Sequence, residues 1–226
     1  MKLSILIPVY NELSTVEKLV NKVLSTPFET ETEIIIVDDA SNDGTREVLS
    51  KISDARVKVI YHSKNQGKGA AIKTAIKNAT GDYIIIQDAD LEYDPSDINK
   101  LICKAKEGFD VIYGSRFYYG MPNGDNIIHY LGNRLLTQIS NLFSGLKLSD
   151  METCYKMIKR EILNKIKIEE NGFGIEPEIT AKIAKHRFSI TEVPISYKPR
   201  NYSEGKKIGL KDLLRTIYCI FKYNLK

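Results

Sequence analysis

The sequence predicts an α/β fold, a mostly parallel central sheet flanked by helices. Two observations predict it. The first half of the chain alternates short apolar, β-branched runs with longer amphipathic segments. The runs are apolar throughout rather than alternating with polar residues, as strands covered by helices on both faces are. The composition agrees: 226 residues, 42% hydrophobic and 27% charged, is ordinary for a globular protein. A chain of this size buries roughly 70% of its unfolded surface and needs no metal or disulfide to fold.

Taken in order, LSILIPV reads as the first strand and STVEKLVNKVL as the helix after it. EIIIVDD and GTREVLSKI form the next pair, then VKVIYH and GKGAAIKTAIKNA, then DYIIIQDAD and PSDINKLICKAK, with FDVIYGS as the fifth strand. The fourth helix has a legible start: Asp94 as N-cap, Pro95 at the first helical position and Asp97 in the first turn. After Ser115 the pattern changes. A loop at 119–126 containing Gly, Pro and Asn leads into a helix, IIHYLGNRLLTQISNLF. A strand-like TCYKMI follows, then a helix over about 177–185 and a strand, SITEVPISY. A loop rich in Lys, Gly, Arg and Tyr precedes a last helix, LKDLLRTIYCIFKY. No repeat or linker divides the chain, so residues 1–226 are expected to form one domain.

Several function classes are disfavoured at this level. Three scattered cysteines and three scattered histidines give no zinc-site spacing and suggest a reducing compartment. Asn11-Glu12 interrupts the opening apolar run where a signal peptide would continue it. No stretch approaches the roughly 18 apolar residues of a spanning helix. A cytoplasmic location is expected, soluble or peripheral at the cytoplasmic membrane face. There is no GxxxxGK[ST], and the first strand is followed by PVYNE rather than by the glycines of a dinucleotide fold. The net charge of +4 is uneven: residues 198–226 carry eight basic residues against Glu204 and Asp212, which leaves the rest slightly acidic. A basic tail can bind nucleic acid, but the amino-terminal acids argue against it.

Ligands of open parallel sheets bind beyond the carboxyl ends of the strands. Four consecutive ends here carry acids or amides: Tyr10-Asn11-Glu12, Asp38-Asp39, Asn65 to Gly69, and Asp88-Ala89-Asp90 with Glu92. Asp88 and Asp90 flank one residue, so in extended geometry both carboxylates point the same way. Such a pair repels itself unless a cation intervenes, and oxygen donors suit Mg²⁺ or Mn²⁺ holding phosphates. The segment NQGKGAA, with Lys68, opens a helix whose N-terminus favours phosphate. In the second half Asp150 and Glu152 could serve as general base for a hydroxyl acceptor. Alternatively Arg116, Arg134, Arg200, Lys206 and Lys207 could cradle a phosphate, which arrives ionised and needs no base.

PVYNE, VDDASNDGT, NQGKGAA, DADLEYDP and GSR, in that order, resemble the family 2 inverting glycosyltransferases of the GT-A fold. Within that family the chain is most similar to polyprenol-phosphate (dolichol-phosphate) mannosyl- or glucosyltransferases, and DMETCYK, FGIEPEIT and EVPISYKPRNYSEGKKI extend the likeness over nearly the whole chain. The resemblance implies a nucleotide-sugar half (1–116) and an acceptor half (117–226). It implies that Pro8, Tyr10 and Glu12 line the base and ribose pocket, with Asp39 on the base and Lys68 also on the donor side. Asp88 would lie near sugar and metal, Asp90 and Glu92 would hold the metal, and Arg116 would face the acceptor phosphate, helped by Arg134, Arg200 and Lys206. Glu92 stands where these relatives often have glutamine. The implied reaction is transfer of a hexose from GDP-mannose or a UDP-sugar to a polyprenyl phosphate, with Mg²⁺ or Mn²⁺. Transfer to a glycan or glycolipid hydroxyl, and an inactive nucleotide-sugar-binding module, are the alternatives. In the last helix Leu210, Leu213, Leu214, Ile217, Ile220 and Phe221 recur at helical spacing beside Lys211, Arg215 and Lys222, a pattern that suits either a lipid surface or the domain's own core.

Overall fold

The computed structural model describes residues 1–122, 126–200 and 210–225. Its centre is a seven-stranded sheet. The strands are β1 (Lys2–Val9), β2 (Glu31–Asp38), β3 (Val57–Tyr61), β4 (Tyr83–Ile86), β5 (Val111–Ser115), β6 (Lys156–Lys159) and β7 (Ile190–Pro194), in the order β3-β2-β1-β4-β6-β5-β7. All neighbours run parallel except β6, which is antiparallel to both β4 and β5. The α/β expectation holds, and the apolar runs explain why: Leu3, Ile5, Leu6 and Ile7 of β1 are fully buried, as are Ile34, Ile35, Ile36 and Val37 of β2 apart from traces.

The helices cover the sheet through stripes at i, i+3, i+4 and i+7. Helix α1 (Val16–Ser25) buries Val16, Leu19, Val20 and Val23, and α4 (Ile98–Lys106) buries Ile98, Leu101, Ile102 and Ala105. Helix α3 (Lys68–Asn78) packs on β1 and β2 with Ala70, Ala71 and Ala75, small residues that let its axis lie close to the sheet. Asp94 caps as expected, its Oδ1 accepting from the Ser96 N–H at 3.0 Å, but it opens a single 3₁₀ turn, Pro95–Asp97, from which α4 continues. Helix α2 (Thr45–Leu49) is shorter than the GTREVLSKI pattern suggests.

In the second half α5 (Ile127–Ser144), α7 (Ile175–Ala184) and α8 (Leu210–Leu225) pack on one another, and a short α6 (Arg160–Lys165), not anticipated from the sequence, follows β6 directly. The strand-like TCYKMI does enter the sheet, yet only as four residues, and it comes between β4 and β5. One hydrogen-bonded sheet therefore runs through both halves. Met157 of β6 is fully buried there. Met157→Ala should lower unfolding free energy by about 2–5 kcal/mol through lost burial and a residual cavity, which a shift in the urea midpoint at unchanged slope would show.

Candidate active site

Strand order decides where a site can form. β1 lies between β2 and β4, so the chain leaves β1 in one direction for β2 and β3 and returns to the other side for β4. At that reversal the loops diverge and leave a crevice. A cavity of about 950 Å³ opens there, over the carboxyl ends of β1, β2 and β4, and reaches across to the second half. Three residues other than glycine among the described residues have left-handed backbone: Asn11 (φ 52°), Ala40 (φ 63°) and Leu91 (φ 63°). Each directly follows a residue that lines the cavity: Tyr10, Asp39 and Asp90. For Ala40 and Leu91 this conformation costs on the order of 1–3 kcal/mol, strain that coincides with the edge where the acids are displayed.

Every acid at this edge has partners. Asp38, buried, accepts from Arg46 Nε at 2.6 Å. Asp39 lies 2.7 Å from His62 Nδ1 and accepts from the backbone N–H groups of Gln66 and, at 2.7 Å, Gly67. It thus anchors the loop into α3 while still lining the cavity. Gly67 is needed in that loop: its φ is +95°, and a Cβ would come within 2.4 Å of the Asn171 carbonyl oxygen. Glu12 accepts from Thr15 Oγ1 at 2.8 Å and from Arg200 Nη1 at 3.1 Å. Pro8 and Tyr10 line the cavity beside them.

Lys68 bridges the two halves, with Nζ 2.9 Å from Asp88 and 2.9 Å from Glu176 in the first turn of α7. Burial works against its charge, but Asp88 and then Glu176 outweigh it and hold the ammonium well above its usual range. Asp90 has Arg200 Nη2 at 3.4 Å. Burial, and next the charges of Asp88 and Glu92, push the Asp90 carboxyl up to about 7. Glu92 accepts from Tyr197 Oη at 3.0 Å and from the Arg200 N–H at 2.9 Å. The trio expected to hold a metal, Asp88, Asp90 and Glu92, is therefore not drawn to one point, and no group of three acids, histidines or cysteines among the described residues is. The reason is mutual repulsion, which leaves Asp88 on Lys68, Asp90 near Arg200 and Glu92 on Tyr197. Asp88 and Asp90 still present oxygen donors to the cavity, and a repelling, partly buried carboxylate pair fits a hard divalent cation.

The opposite wall is built around Arg116, which follows β5. Its Nε and Nη2 grip both oxygens of the fully buried Asp150 at 2.7 and 2.8 Å, and Nη2 also lies 3.3 Å from Asn133 Oδ1. Its guanidinium centre stands 4.9 Å and 5.1 Å from the ring centres of Phe117 and Tyr197. Burial opposes the charge, yet Asp150 holds it well above the usual range. Nη1 makes no hydrogen bond among the described residues. Glu152, two residues beyond Asp150, also lines the cavity. Its Oε1 is buried without a hydrogen-bond partner among the described residues, and burial, then the Glu176 charge, push its carboxyl up to about 7.

The remaining expected acceptor residues are placed differently. Arg134 does not line the cavity; its Nη1 donates to the Ser149 carbonyl at 3.2 Å. Arg200 folds back over the acids of the first half rather than standing beside Arg116. Lys206, and Lys207 with it, lie outside the described residues. No sequence signal singles out Glu176, Tyr197 or Asn133. Glu176 reads as an ordinary acid in a helix's first turn, and nothing local marks its pairing with Lys68.

The family model for glycosyl transferase family 2 matches residues 4–167, from β1 through α6. The chain belongs to glycosyl transferase family 2. Among curated family 2 relatives, glycosyltransferase AglJ of Haloferax volcanii is 30% identical over 197 residues, covering 87% of this chain and 63% of that protein. The dolichol-phosphate mannosyltransferase of Pyrococcus furiosus is 31% identical over 233 residues, covering 99% and 64%. The chain thus spans a little under two thirds of the length of these relatives. A crystal structure of glucosyl-3-phosphoglycerate synthase from Mycobacterium tuberculosis, in complex with Mn²⁺, uridine diphosphate and phosphoglyceric acid, superposes with a TM-score of 0.75 at 17% identity, covering 99% of this chain and 78% of that one. The fold of this family 2 chain is GT-A, as its sequence motifs imply.

Two outcomes follow from the geometry. A carboxyl raised by folding is destabilising once ionised, so Glu152 should make stability fall as pH rises from about 4.5 through about 7. Lys156, Arg116, Asp150 and Glu176 all bear on that titration. In Glu152→Gln the decline in melting temperature over that range should flatten. Gly67→Ala should destabilise by about 1–3 kcal/mol and weaken thermal stabilisation by nucleotide sugars, because Asp39 and Asn171 both hold this loop in place.

Proposed function

We propose that this chain is a glycosyltransferase that moves a hexose, with inversion, from a nucleotide diphospho-sugar to a polyprenyl phosphate. The observation that carries the reading is the polarity of the cavity. On one wall stand Asp88 and Asp90, a carboxylate pair fit for a divalent cation; on the other stands Arg116, fixed by Asp150 and Asn133 with a guanidinium nitrogen left over. The first wall suits a diphosphate, the second an anionic acceptor. The dolichol-phosphate mannosyltransferase likeness points to the same acceptor chemistry.

In this reading Pro8, Tyr10, Glu12 and Asp39 receive the nucleoside, and Lys68 stands beside Asp88 to meet the diphosphate. Mg²⁺ or Mn²⁺ on Asp88 and Asp90, with Glu92 close by, would act as the Lewis acid that neutralises the leaving diphosphate. Arg116 orients the acceptor phosphate, which at neutral pH is above its second pKa of about 6, largely ionised, and attacks without a base. Arg200 guards the acids at Glu12 and Asp90. Action at the cytoplasmic face of a membrane, without a nucleic-acid partner, belongs to the same reading. No helix among the described residues is long and apolar enough to cross a membrane.

Glu152 favours a second reading, transfer to a sugar hydroxyl, because a cavity carboxyl poised near neutrality is suited to general-base work. Labelled UDP- and GDP-sugars with short-chain polyprenyl phosphate or with glycan acceptors separate the two. The leading reading expects a lipid-linked product, a loss of about 10²-fold or more in Asp90→Ala, and Glu152→Gln within about tenfold of the parent. Product on a hydroxyl acceptor alone, abolished by Glu152→Gln, would establish the second reading instead. Arg116→Lys should impair phosphate-acceptor turnover through lost bidentate geometry, read as a raised KM for the acceptor.

A further inference from the structure

Behind Asp39 a chain of polar groups runs away from the cavity into the body of the domain. Asp39 Oδ1 stands 2.7 Å from Nδ1 of His62, and Nε2 on the far side of that ring stands 2.9 Å from Thr74 Oγ1 on α3. His62 directly follows β3. Its own N–H donates to the Asp38 carbonyl at 2.9 Å, and Arg46 donates to its carbonyl. The ring is thus set from the end of β2 and from α3 at once. Asp39 lines the cavity and His62 does not, so whatever His62 does for a ligand passes through Asp39.

The loop into α3 does not require the histidine. Gln66 N–H reaches both Asp39 oxygens, at 3.0 and 3.1 Å, and Gly67 N–H reaches Oδ2 at 2.7 Å. Those two backbone donors tie the loop down, and His62 adds a third donor on Oδ1. A carboxylate accepts only, so Nδ1 carries the proton that faces it. It offers about four lone-pair sites, and three donors leave room for about one more. With His62 on one oxygen and Gly67 on the other, the carboxylate loses a hydrogen bond if it turns. What it presents to the cavity is a single acceptor with a fixed direction.

Nucleobases differ at such a contact. Uracil N3–H and guanine N1–H are donors, whereas the corresponding ring nitrogens of cytosine and adenine are acceptors and their amino groups lie to one side. A fixed acceptor pairs with the first two and opposes the others. A carboxylate free to turn would reach the amino groups as well. Given the reading of this cavity as a nucleotide-sugar site, on which this rests, we propose that His62 is a positioning residue for the donor: by clamping Asp39 from behind, it makes the cavity select a base with an imino N–H, uracil or guanine, over cytosine and adenine.

The test is calorimetric titration of the 226-residue chain with UDP, GDP, CDP and ADP in the presence of Mn²⁺. For the parent, the tighter of UDP and GDP should bind about tenfold or more tightly than CDP and ADP, as one opposed buried hydrogen bond costs. In His62→Phe, which keeps a ring but neither nitrogen, that preference should fall to about threefold or less. His62→Asn, which returns an amide N–H toward Asp39, should restore it. Thr74→Val, which frees only the far end of the ring, should narrow the preference by about threefold and keeps the test open if His62→Phe does not fold. A merely structural role would weaken all four ligands alike and leave the ratio where it was. An unchanged ratio in a folded His62→Phe or Thr74→Val, or a folded His62→Asn no better than His62→Phe, overturns the proposal. A parent that binds all four equally overturns it while leaving the nucleotide-sugar reading in place, and a parent that binds none sinks both.

Discussion

Carboxylates gathered at one edge of a parallel sheet must be paired or hydrogen-bonded where they stand, and much of this structure answers that requirement. Asp38 has Arg46, Asp39 has His62, Asp88 has Lys68, Glu12 and Asp90 share Arg200, and Asp150 has Arg116. An unpaired buried charge costs several kcal/mol, so each partner is a condition of folding as well as a candidate for function. Arg200 comes from the second half, and its pairing with Glu12 and Asp90 ties the loops of the first half to the segment that passes over them. The same pairing leaves the edge rich in both signs of charge, which suits a ligand that brings a diphosphate and a cation together.

What the sequence made legible was local. Apolar runs and amphipathic stripes declare themselves over fewer than a dozen residues, so the parallel strands and α1, α3 and α4 could be placed from pattern alone. The spacing of Asp88 and Asp90 declared the acid pair in the same way. Strand β6 did not declare its direction or its place, because four residues take both from the neighbours they join. The reach of Arg200 was hidden for a related reason: a surplus of basic residues in the tail says how much charge is there, not which acids it folds onto. Glu152 could be named as an acid near the site, but its raised pKa depends on Glu176 and on burial, neither visible in a one-dimensional pattern.

The second half works by two different uses of apolar residues. Some, such as Leu136, Met151 and Ile220, form a small core that holds α5 to α8. Others are left outside on the same helices, at regular spacing, where a monomer in water gains nothing from them.

The insertion of β6 between β4 and β5 carries a mechanical consequence. Because hydrogen-bonded strands run without interruption from β3 to β7, the two walls of the cavity are joined through one sheet. Any sealing of the cavity around a bound donor has to come from segments that cross its mouth, such as the stretch through Tyr197 and Arg200. The sheet joins the strands that lead to Asp88 and Arg116, and Tyr197 touches both sides, at Glu92 and at Arg116.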